Sequence, residues 1–166
     1  MKSYKFYLNA AHHFLTLKDY EKLAGQEKDY CHLSSFIFSW IALESYVNMV
    51  SDSLSKGTRL KAHEKAFLLE QELKVDDCGV FKEINIHPST TRKILFLINY
   101  FTKIDVKTFK QLKLWMTLTN FEELRNKIIH YKQKEDVNLT RKQVMDSIEN
   151  TEQLINYLNK EVFRKS

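Results

Sequence analysis

Arg125, Asn126 and His130 carry the groups in this 166-residue chain whose types and spacing could work on a phosphate ester. An arginine offers a planar fork of donors that matches phosphate oxygens and stabilises negative charge as it develops. Histidine is the side chain that exchanges a proton near neutral pH, as general base or general acid. RNA brings its own nucleophile in the 2′-hydroxyl, so these groups could cleave it without a metal. At about 100° per residue, Leu114, Leu118, Phe121, Arg125, Ile128 and Ile129 share one helical face, which sets the guanidinium inside an apolar stripe. A cation there needs a carboxylate, a phosphate or an open pocket, because arginine cannot escape the cost of burial by losing its proton. Asn126 and His130 are four apart and share a different face, so Asn126 is expected to orient the imidazole. Tyr131 follows directly.

The carboxylate is expected upstream. Phe36, Trp40, Leu43, Val47 and Val50 form one stripe, which Ile37 and Ile41 widen until most of the helix circumference calls for burial. Glu44 and Asn48 lie within that arc, four residues apart. Buried polar groups must find partners, which predicts a Glu44–Arg125 ion pair. The bland reading of that pair is a purely architectural bridge.

Arg125-Asn126-x-x-x-His130 resembles the Arg-x4–6-His motif of the HEPN superfamily of small helical RNases and nucleotide-binding domains. Ser39-Trp40-Ile41-Ala42-Leu43-Glu44-Ser45-Tyr46-Val47-Asn48 is similar to the second core helix of that family, where an acidic residue faces the motif arginine. The resemblance implies an all-α fold: a single-domain antiparallel bundle of about five to six helices over residues 1–166. It also implies a symmetric homodimer whose composite cleft carries the motif from both subunits, acting as a metal-independent endoribonuclease. Arg125, His130 and Asn126 would be catalytic there, supported by Glu44, Asn48 and Tyr131. Toxin, phage-defence or RNA-processing roles go with the family, and with them RNA and an antitoxin or regulatory protein as partners. Many toxin members continue the motif as His-x-Tyr. Here the tyrosine follows the histidine directly and position 132 is Lys, which departs from the pattern modified by paired nucleotidyltransferases. The superfamily also includes inactive members that bind RNA, nucleotide or a partner protein, and this is the alternative reading.

The elements that must position these residues are expected to be helices. Apolar residues make up 43% of the chain, enough for one real core, and three glycines with one proline leave few turns. Helical spacing runs over residues 4–24, closed by Gly25, and again over about 28–55. Ala62–Leu73 reads as a shorter helix, Val75–Ile86 as a loop or a brief helical turn, and Pro88 as the opening of the next helix. Thr108 is expected to cap the motif helix. Thr140 with Gln143 is a capping box that opens a last helix to about Val162.

Other chemistry is weakly signalled. Cys31 and Cys78 lack metal spacing and do not suggest a disulfide scaffold, His12 and His13 are adjacent and point to different faces, and Asp76-Asp77 reads as solvated. No metal or cofactor is expected, and no glycine-rich phosphate loop is present. The net charge of +5 suits an acidic partner but is modest. No run of about 18 apolar residues or leader-like segment stands out, so a cytoplasmic protein without membrane attachment is expected.

Overall fold

The computed structural model describes residues 3–17, 20–130 and 138–163. Most of them are helical. In chain order they form α1 (Tyr4–Leu15), a 3-10 turn (Tyr20–Lys22), α2 (Gly25–Ser55), α3 (Ala62–Leu68), β1 (Gln71–Val75), β2 (Phe81–Asn85), α4 (Thr90–Phe101), α5 (Val106–Lys110), α6 (Lys113–Ile129) and α7 (Arg141–Val162).

The 31-residue α2 is the axis of the molecule, about 46 Å long at helical rise. Its wide apolar arc is met on several sides, and small residues let neighbours approach closely. Ser35 donates to the Ala11 carbonyl of α1 at 2.6 Å, and the hydroxyls of Ser39 and Ser147 of α7 lie 3.2 Å apart. Two apolar clusters share this helix. Around Trp40, Leu43, Tyr46, Val47 and Val50 gather Ile94, Leu97, Ile98, Phe109, Leu118 and Leu154, while Cys31 and Phe36 join Ala11, Tyr20, Val144 and Ile148. By length and composition α2 could cross a membrane, with a window of mean hydropathy 1.2, yet half of that window is buried within the protein.

The fold is mainly helical but not all-α. Residues 71–85, expected to end one helix and then form a loop or a brief helical turn, make an antiparallel hairpin in which Gln71 pairs with Asn85 and Val75 with Phe81. The Asp76 side chain accepts from the amides of Cys78 (2.9 Å) and Val80 (3.0 Å), and Gly79 takes φ 77°, so this local turn chemistry overrides any helical continuation. Glu70, also at positive φ (61°), ends α3 early and feeds β1.

Several boundaries also move. α1 stops at Leu15, where the Thr16 hydroxyl bonds the His12 carbonyl at 3.1 Å, and Gly25 begins α2 rather than ending α1. Ser89, not Pro88, opens α4, its hydroxyl accepting from the Arg92 amide at 3.3 Å. Thr108 lies inside α5, a single short helix capped by Asp105, so the motif helix α6 starts only at Lys113. The Thr140/Gln143 capping box opens α7 as expected.

Candidate functional site

The motif residues occupy the last two turns of α6. Leu124 and Ile128 turn inward and pack on the Phe36 cluster, leaving Arg125 at the margin of the apolar stripe with its side chain 26% exposed. Asn126 and His130 are both exposed. His130 closes the helix, its amide donating to the Asn126 carbonyl at 2.9 Å. Tyr131 lies outside the described residues.

Arg125 does face Glu44, and the expected ion pair is present as a long, partly exposed contact. Its Nη2 is 3.9 Å from Glu44 Oε1, and the Glu44 side chain is 37% exposed. Glu44 already has a better partner one turn back, because the Trp40 indole N–H donates to the same oxygen at 2.7 Å. The Thr90 hydroxyl adds a long contact of 3.4 Å from the start of α4. Beside it, Thr91 donates to both oxygens of Glu122 at 2.9 and 3.0 Å. Arg125 Nη1 donates to the Asn126 side-chain carbonyl at 3.1 Å, while its Nε is buried with no hydrogen-bond partner. The Asn126 side-chain carbonyl is thus engaged with the guanidinium and not with the imidazole. The result is a half-open polar junction of α2, α4 and α6 in which the cation is underused.

Asn48 is committed elsewhere. Its carbonyl oxygen accepts from Lys93 Nζ at 2.7 Å, and the same ammonium meets Glu70 Oε1 at 2.5 Å. Lys93 is almost fully buried, so the cation that truly needed a partner within the core is a lysine on α4. Sequence reasoning passed over Trp40, Thr90, Thr91 and Glu122. Trp40 and Glu44 were legible as an i, i+4 pair, whereas Thr90 and Thr91 reach the junction only because the hairpin delivers the start of α4 there.

A groove of about 480 Å³ between α6 and α7 is lined by Lys113, Asn120, Phe121, Lys142, Asp146 and Gln153, and none of the motif residues contributes to it. Among the described residues, no three His, Cys, Asp or Glu side chains gather in a way that could hold a metal ion. His12 is taken up by Glu152, 2.8 Å away across α1 and α7. No protein-family model, curated protein or solved structure matches the chain.

Proposed function

We propose that the chain is a HEPN-type, metal-independent endoribonuclease acting as a homodimer, in a toxin, phage-defence or RNA-processing role. The observation that carries this reading is the pairing of an exposed His130 with an incompletely satisfied Arg125 on the same two turns of α6. The Arg125 side chain is about a quarter exposed and only distantly paired with Glu44, so its guanidinium can still meet an anion from solvent.

The 2′-oxygen attacks the adjacent phosphorus, a base takes its proton, and the bond from phosphorus to the 5′-oxygen breaks as an acid protonates the leaving oxygen. The products are a 2′,3′-cyclic phosphate and a 5′-hydroxyl. His130 serves as base or acid, and Arg125, held from one side by Asn126, stabilises the crowded phosphate. Two proton transfers ask for two imidazoles, which a two-fold dimer supplies. Purified protein is expected to cut single-stranded RNA in EDTA, and His130→Ala to slow cleavage by about 10²- to 10⁴-fold with no change in melting temperature, because the ring is exposed. Equal rates for the two proteins would end this reading.

The second reading, a non-catalytic module that binds RNA, nucleotide or a protein partner, is favoured by the hydrogen bond that already ties Arg125 to Asn126. It predicts RNA retardation in a gel-shift assay without cleavage.

A further inference from the structure

We infer that the open edge of β1 is a self-pairing surface, on which a second copy of this chain adds its own β1 antiparallel to form a four-stranded sheet. The hairpin is the sheet's whole extent among the described residues. Val75, Val80 and Phe81 are 56%, 56% and 71% exposed, so the helical body leaves it uncovered.

The direction of the backbone groups follows from the register. The Ile86 amide bonds the Glu70 carbonyl at 2.8 Å, and the Asp76 amide bonds the Val80 carbonyl at 2.9 Å, at the two ends of the ladder. Alternation between them makes Glu72/Ile84 and Lys74/Lys82 the hydrogen-bonded pairs. The N–H and C=O groups of Gln71, Leu73 and Val75 therefore point away from β2, toward the open edge. An edge of this kind is a template for another strand.

Charge then selects the occupant. A two-fold axis through Leu73 sets Leu73 against its own copy and Gln71 against Val75, the pairs whose backbone groups face outward. The same axis sets Glu72 against Lys74 twice, once in each direction. Within one chain the Lys74 ammonium has only a loose 3.7 Å contact with Glu72 and stands directly across from Lys82, a like-charge pair that disfavours the hairpin. Lys82 is held by Asp76 at 2.7 Å, whereas Lys74, 3.7 Å from Glu72, has room for a second, closer anion. The second copy supplies it. β2 is not self-complementary in this way, since pairing about its midpoint sets Glu83 against Glu83.

The nuclease reading also calls for a two-fold assembly, so the test rests on substitutions at Glu72, Leu73 and Lys74, which act on this edge and touch none of the motif residues. In sedimentation equilibrium over a concentration series up to millimolar, the mass is expected to rise from 19.8 kDa toward twice that value. Glu72→Lys and Lys74→Glu are each expected to weaken self-association about tenfold or more, and an equimolar mixture of the two variants to recover it. Leu73→Pro takes away an outward amide and no β1–β2 ladder hydrogen bond, so it should weaken this self-association in the same way while circular dichroism stays unchanged. A wild type that is monomeric throughout overturns the proposal. So does a dimer indifferent to Glu72→Lys and Leu73→Pro, or an edge that accepts only a foreign strand.

Discussion

Two cations meet α2 from neighbouring helices, and their treatment differs. Lys93 of α4 has a side chain only 3% exposed, with Glu70 and Asn48 both within hydrogen-bond distance. Arg125 of α6 is 26% exposed, lies 3.9 Å from its carboxylate and keeps an unpartnered Nε. A fully enclosed and fully paired charge has nothing left to offer a ligand, so the lysine is architecture. The arginine retains donors and an approach from solvent, which is what a binding or catalytic group requires. The comparison also shows that the location of a charge on an apolar stripe does not fix its burial, since a helix at the edge of a bundle can turn the same stripe part-way outward.

The sharpest way to break the comparison is to remove each carboxylate in turn. Glu70→Ala should strand a buried ammonium and cost about 3 kcal/mol, measured by urea denaturation. Because Glu70 sits at φ 61°, Glu70→Gly should cost about 1 kcal/mol less than the alanine variant. Glu44→Ala should cost only about 1–2 kcal/mol, most of it from the Trp40 indole losing its acceptor, and Glu44→Gln should be nearly neutral because it keeps one. Equal costs at Glu70 and Glu44 would erase the distinction between the two sites.

A smaller effect is expected at Tyr46, which lies on α2 between Glu44 and Asn48. Its hydroxyl is fully buried with no hydrogen-bond partner, so Tyr46→Phe should stabilise the protein by about 1 kcal/mol. Burial pushes this phenol up to about 12 from an ordinary 10.0. The unfolded chain then loses the proton first, and stability falls as pH climbs from about 10 toward about 12. The phenylalanine variant should lack that part of the alkaline loss in denaturation curves taken across this range.

The helices with strong periodicity were legible. α2 and α7 lie close to their predicted spans, and the Thr140/Gln143 capping box marks its boundary because the signal is local. The hairpin was read as the end of a helix and a loop or brief helical turn, although Asp76 to Gly79 between strand-forming residues is a turn signal. The expected helix ran on to Leu73, past the end of α3 at Leu68. Of the site, Glu44 facing Arg125 was legible from the shared problem of a charge among apolar residues. Its length and exposure were not, because Trp40 competes for the same oxygen and α6 meets the bundle at its margin. Asn48 went to Lys93 for a reason no pattern in α2 encodes, namely that α4 brings an ammonium there.

α2 belongs to both apolar clusters, contributing Phe36 to one and Trp40 through Val50 to the other. Neither half of the molecule can melt while its neighbour stays intact, since each would have to keep a share of the same rod. Unfolding is therefore expected as one cooperative event, with tryptophan fluorescence from Trp40 and Trp115 and far-ultraviolet ellipticity from the whole chain tracing superimposable curves.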